Sequence, residues 1–93
     1  MRQDADWMRR PADDSILELL RDEGNMTPLA ISREGRVARA DITRKYAGDR
    51  LRTLTRYGLV RRLDDGLYQI TDDGRNWLTG DLDPTTLEPR DDA

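Results

Sequence analysis

The sequence predicts an α+β domain that is mainly helical: three helices, a two-stranded hairpin and a fourth helix, in that order. Three observations carry this. Ala47, Leu51 and Leu54 recur at i, i+4 and i+7, the spacing that lines one face of an α-helix. Lys45, Asp49, Arg52 and Arg56 fall roughly opposite that stripe at about 100° per residue, and Tyr57-Gly58 then ends the helix, glycine suiting the left-handed position past its end. Two short runs rich in β-forming residues, 59–63 and 67–71, flank Asp64-Asp65-Gly66, a hairpin signal.

The composition bounds what such a domain can be. Ninety-three residues suffice for one core and not for two. The apolar fraction is 35% and the charged fraction 38%, but the apolar residues cluster at periodic spacings, which argues against disorder. No apolar run approaches the roughly 20 residues of a membrane span. The first residues, Met1-Arg2-Gln3-Asp4-Ala5-Asp6, lack the apolar stretch of a signal peptide, so a cytoplasmic protein is expected. Cysteine and histidine are absent, which removes disulfides, thiolate nucleophiles, the usual zinc ligands and the commonest general acid/base. Ser15 and Ser32, the two serines, stand outside any nucleophile-elbow pattern. The pairs Asp13-Asp14, Asp64-Asp65 and Asp72-Asp73 lie at predicted helix starts or turns, where acids belong for structural reasons. The expectation is a protein that is not an enzyme and uses neither cofactor nor metal.

Taken in order, residues 1–10 form a polar and loose arm, except that Trp7-Met8 can pack back onto the domain. Pro11 suits a first helical position, Asp13 and Asp14 complement the helix dipole, and Ile16, Leu17, Leu19 and Leu20 form a broad apolar face that Gly24 ends, giving a helix over 11–23. Thr27-Pro28 restarts a helix, with Thr27 as N-cap. Leu29, Ala30 and Ile31 supply its buried face, and it ends near Gly35. Residues 35–42 are either a long turn or an extension of a neighbouring helix. The third helix starts at 42–44, with Asp41 or Thr43 as cap, and ends at 57. Gly48 inside it costs roughly 1 kcal/mol against alanine; it either admits close approach of a backbone or of DNA, or is a tolerated weakness. In the hairpin Tyr68 and Ile70 share the face that covers the core. Thr71 caps a fourth helix carrying Trp77, Leu78 and Leu82. Asp83-Pro84 breaks that pattern, leaving a domain over 11–83 and a polar, disordered tail over 84–93.

Charge is unevenly distributed. Residues 33–63 hold ten Lys/Arg against three acids, a net +7, whereas the remainder holds six Arg against sixteen acids, a net −10. A basic middle in an acidic protein points to a polyanion met by one face. Fifteen of the sixteen basic residues are arginine. Abundant aspartate with almost no lysine fits the cytoplasm of a salt-loving organism, which is the favoured reading; a GC-rich genome favouring arginine codons is compatible with it.

A helix pair with a basic front, followed by a short hairpin, is the winged helix-turn-helix arrangement, and its expected partner is double-stranded DNA. In that arrangement the N-terminal half of the second helix meets base edges. Here it offers Arg44, Lys45, Gly48, Asp49 and Arg52. Arg52 is the best candidate for base reading, since arginine bonds bidentately to guanine; Lys45 and Arg56 are candidates for phosphate contact. Asp49 can accept from cytosine, or pair with Lys45 or Arg52 on the helix surface. Arg61 and Arg62 point to opposite sides of a strand, so only one of them easily faces DNA. Arg33, Arg36 and Arg39 frame the site with sequence-independent attraction. A homodimer is expected, because paired half-sites give a small reading head its specificity. Trp7, Trp77 and Leu78 are the candidate seam, or else the tryptophans complete the monomer core. The competing class is a protein-interaction module, since fold alone does not decide function.

Several stretches also resemble a known family. Trp7-Met8-Arg9-Arg10-Pro11-Ala12-Asp13-Asp14, Ile16-Leu17-Glu18-Leu19, Gly24-Asn25-Met26-Thr27-Pro28, Tyr57-Gly58-Leu59-Val60 and Gly66-Leu67-Tyr68-Gln69-Ile70-Thr71-Asp72-Asp73-Gly74 look like the winged-helix repressors of halophilic-archaeal phages and their chromosomal relatives. More distantly, they are similar to multiple-antibiotic-resistance-type regulators. The resemblance spans about residues 7–83. It implies that helix 42–57 reads the major groove, that the wing 59–71 meets the backbone or minor groove, and that the molecule regulates transcription as a repressor.

Overall fold

The computed structural model describes residues 1–90. It contains α1 (Ala12–Glu23), α2 (Pro28–Ile31), α3 (Arg44–Arg56), β1 (Val60–Arg62), a 3-10 turn (Asp64–Gly66), β2 (Tyr68–Ile70), α4 (Asp72–Leu78) and a second 3-10 turn (Pro84–Thr86). The strands pair antiparallel with Val60 opposite Ile70, Arg61 opposite Gln69 and Arg62 opposite Tyr68. This is the mainly helical domain with a wing that the sequence predicts. No helix among the described residues is long and apolar enough to cross a membrane.

Local chemistry places the element ends. Thr27, Thr43 and Thr71 each accept a backbone N–H from three residues on, at Ala30, Tyr46 and Gly74, satisfying donors that a helix start leaves orphaned. Gly58 takes φ +81°, the left-handed value that lets α3 turn directly into β1. The α3 stripe of Ala47, Leu51 and Leu54 is fully buried, against Ile16, Leu17 and Leu20 of α1 and Ile31 of α2. Gly74 allows α4 to lie directly on the wing: a Cβ there would sit 2.3 Å from the Leu59 carbonyl oxygen and 2.7 Å from Ile70 Cγ1.

The structure differs from the sequence expectations at several points. Pro11 caps α1 instead of opening it. The second helix stops at Ile31, short of Gly35, because the Ser32 hydroxyl bonds the Leu29 carbonyl at 2.9 Å and then accepts from Glu34 N at 3.0 Å. Its buried face reduces to Ile31, leaving Leu29 exposed. Residues 35–42 belong to a long turn closed at its base, where Arg33 N donates to the Ile42 carbonyl and Ala40 N to the Ile31 carbonyl, both at 2.9 Å. Met26, just before the second helix, bridges Tyr68 through two backbone hydrogen bonds of 3.1 and 2.8 Å. The fourth helix ends at Leu78, so Leu82 lies beyond it; Gly80 at φ +86° reverses the chain.

The first ten residues, expected to be loose apart from Trp7-Met8, are fastened to the domain. The Trp77 indole N–H donates to the Gln3 carbonyl at 2.7 Å, and Arg2 Nε donates to the Leu78 carbonyl at 2.9 Å. A fully buried tryptophan needs a partner for its N–H, and the N-terminal strap supplies it. Of the tail expected to be disordered, residues 84–90 also fold back. Pro84 is buried, its carbonyl accepts the Trp7 indole N–H at 3.3 Å, and Arg90 N donates to the Arg56 carbonyl at 2.8 Å. The packed unit therefore runs wider than 11–83, and residues 91–93 lie outside the described residues.

Candidate nucleic-acid interface

Helix α3 is held from four sides. Its apolar stripe enters the core. At its N-terminus Thr43 caps Tyr46 N, while Glu34 reaches from the long turn to accept from Arg44 N at 2.6 Å. Near its C-terminus the Tyr57 ring stacks on Trp7, centroids 3.8 Å apart and planes within 2°. In its middle, Arg50 turns inward. Arg50 Nε and Nη2 donate to Asp13 Oδ1 and Oδ2 at 2.9 and 2.8 Å, and Nη2 also bonds the Trp7 carbonyl at 3.0 Å.

The carboxylate of Asp13 raises the Arg50 pKa above the usual arginine value. Arg50 therefore belongs to the scaffold, although it contributes to the basic count of residues 33–63. The available signal was its position at i+3 from Ala47, beside the apolar stripe and not opposite it.

With Arg50 removed, the exposed side chains of α3 include Arg44, Lys45, Asp49, Arg52 and Arg56. Arg44, Lys45, Gly48 and Arg52 line a cleft of about 340 Å³, together with the cap Thr27, Pro28 and Leu29 of α2 and Gly66 of the wing turn. Arg52 also lines a hollow of about 150 Å³ with Thr55, Arg62 and Tyr68. It thus stands where the α2 side of the helix meets the wing side. Asp49 accepts a hydrogen bond from Arg52 Nη2, one of the two helix-surface pairings open to it. Gly48 is not required by the protein's own packing: a Cβ would stand 3.5 Å from Arg52 Nη1 and 3.9 Å from the Pro28 ring, ordinary contact distances.

Other expected site residues lie elsewhere. Arg61 takes the opposite side of the strand from Arg62, where it donates to the Gln69 side chain and lines a separate hollow with Arg75 and Arg90. Arg39 is bound on the α1–α2 side, to Glu23 Oε1 at 2.9 Å and the Ala30 carbonyl at 3.0 Å, within a groove that also holds Glu18, Asp22 and Asp41. Its pairing with Glu23 takes it away from the basic cleft. Arg33 pairs with Asp41 at 3.3 Å, and Arg36 is exposed.

The candidate dimer seam also changes. Trp77 has no exposed surface and Leu78 only 6%, so neither has apolar area to offer a second copy; Trp77 completes the monomer core. Trp7 remains half-buried. Around Trp77, Asp14 accepts two bonds of 2.9 Å from Arg10 and one of 3.1 Å from Arg2, with both guanidiniums over the indole, at 5.1 and 5.8 Å. Burial pushes the Asp14 pKa up, but the hydrogen bonds from Arg10 and Arg2 outweigh it and hold the carboxyl below its ordinary value.

Comparison with known proteins agrees with this fold. Residues 1–90 match the family model described as winged helix-turn-helix phage repressor. The crystal structure of the PhiH1 repressor-like protein from Haloarcula marismortui is similar, with a TM-score of 0.84 and 31% identity over 96% of this chain and 97% of that one. No curated protein matches the sequence.

Proposed function

The chain belongs to the winged helix-turn-helix phage repressor family, a family of DNA-binding regulators, and we propose on that premise that it is a sequence-specific repressor of transcription. Helix α3 reads the major groove, and the wing reaches the backbone or minor groove through Arg62. The observation that carries this reading is the grouping of Arg44, Lys45, Arg52 and Arg62 around two adjoining hollows, in a protein that is net acidic outside residues 33–63. A cationic face of that kind, built on the reading helix, is the electrostatic footprint of duplex binding. Lys45 and Arg56 contact phosphates and Arg52 contacts a base edge. The protein acts in the cytoplasm as a homodimer on paired half-sites. Its arginine-rich, acidic composition is salt adaptation.

The test is binding to a mixed-sequence duplex and to the protein's own upstream promoter region across a salt series. Binding that falls steeply with salt, with a promoter preference surviving at high salt, supports a specific regulator. No binding by a protein that still melts cooperatively would replace this reading with a protein-interaction module.

A further inference from the structure

We infer that Asp49 is a specificity-determining residue, whose carboxylate holds the Arg52 guanidinium ready to meet a guanine edge. The inference rests on α3 being the DNA-reading helix. Arg52 lines both the α2–α3 cleft and the hollow under the wing. Its Nη2 is held by Asp49, one turn earlier, and its Nη1 lies against the bare flank of Gly48, 3.5 Å from where a Cβ would stand.

That pairing is worth little to folding. Both side chains are about half exposed or more, 65% for Arg52 and 48% for Asp49, and an exposed pair on a helix surface contributes little to stability. Nor does it aid general attraction, because a carboxylate in the centre of a cationic face repels every nearby phosphate. What it does supply is orientation. With one amino group engaged sideways, the planar guanidinium is fixed while other N–H donors stay available. Guanine O6 and N7 accept two parallel N–H bonds, and a fork already held in one plane has less freedom to lose on engaging them. Among the described residues, the Arg44, Lys45 and Arg56 side chains have no such carboxylate partner, which suits mobile contacts to phosphate. Arg52 is therefore the reader and Asp49 its positioning residue.

The experiment is selection of bound duplexes from a random library by the wild type, Asp49→Ala and Arg52→Ala, with salt series on a mixed-sequence duplex. The wild type is expected to return a motif containing a guanine whose replacement costs about tenfold or more in affinity. Both variants lose the preference at that one position and keep the rest of the motif. Asp49→Ala at the same time binds mixed-sequence DNA more tightly. A guanine preference that survives Asp49→Ala, or a wild-type motif without such a guanine, overturns the inference and leaves the repressor reading standing. A wild type that returns no motif overturns the reading of α3 itself, and the inference with it.

Discussion

Asp13 and Arg50 form a two-pronged ion pair inside the protein, with Asp13 fully buried and the Arg50 side chain 10% exposed. The pair ties the first turn of α1 to the middle of α3, and through the Trp7 carbonyl to the N-terminal strap. It thus fixes the helix whose opposite side carries Lys45, Arg52 and Arg56.

Breaking this pair strands a charge in the core. Asp13→Leu and Arg50→Met are each expected to lower stability by about 3–5 kcal/mol, because the remaining partner stays buried without compensation. The double variant replaces both charges with apolar groups and should cost well below the sum of the two. Urea unfolding of the four proteins measures this directly. Strictly additive losses would mean that the two side chains act independently.

Acid should loosen the molecule through Asp14. Asp14 lies below its ordinary pKa because bonds from Arg10 and Arg2 outweigh its burial, and exposed Asp22 and half-buried Asp83 are lowered by hydrogen bonds from Arg21 and from Thr85. A carboxyl with a lower pKa folded than unfolded stabilises the fold above its unfolded value of about 3.9, and that stabilisation is lost as pH falls through the folded value. The urea midpoint should therefore hold from neutrality to about pH 5 and decline below about pH 4. Asp14→Asn should make the decline shallower; an unchanged slope would assign it to other groups.

Two glycines inside helices should respond in opposite directions. At Gly48 an alanine Cβ meets only ordinary contacts, at 3.5 Å or more, so Gly48→Ala should stabilise the protein by up to about 1 kcal/mol through helix propensity. If duplex affinity falls while stability rises, close approach of DNA is the reason for the glycine. At Gly74 the same methyl would collide with the Leu59 carbonyl at 2.3 Å. Gly74→Ala must push α4 off the wing and should lower the melting temperature sharply. Thermal melts of both variants decide the contrast.

What could be read from the sequence follows the range of the interactions. The three threonine caps and the Gly58 turn act within a few residues, so composition and spacing predict Thr27, Thr71 and the turn, and narrow the third cap to Asp41 or Thr43. The α3 stripe is periodic, and its exposed face follows from it. Arg50 escaped because its partner is 37 residues away, and a lone arginine at the edge of an apolar stripe reads as surface charge. The N-terminal strap escaped for the same reason: the Trp77 indole finds its acceptor 74 residues earlier, in a stretch whose polarity reads as loose. Arg39 was grouped with the basic face by sequence proximity, but the closed base of the 32–43 turn directs it to Glu23.

The alternation of β1 gives the sharpest test of the wing. Arg62 shares a hollow with Arg52 and Thr55 of α3, whereas Arg61 projects to the other side, bonded to Gln69 near Arg75 and Arg90. The two arginines are adjacent and both exposed, so net charge and local composition change identically on replacing either. Each phosphate contact contributes about 0.9 to the slope of log affinity against log salt. Arg62→Ala should reduce that slope by about one unit and weaken binding at low salt, while Arg61→Ala leaves the slope close to wild type. Equal losses in the two variants would mean that long-range attraction governs binding. The reverse ranking would place DNA against the Arg61–Arg90 side and remove α3 from the groove.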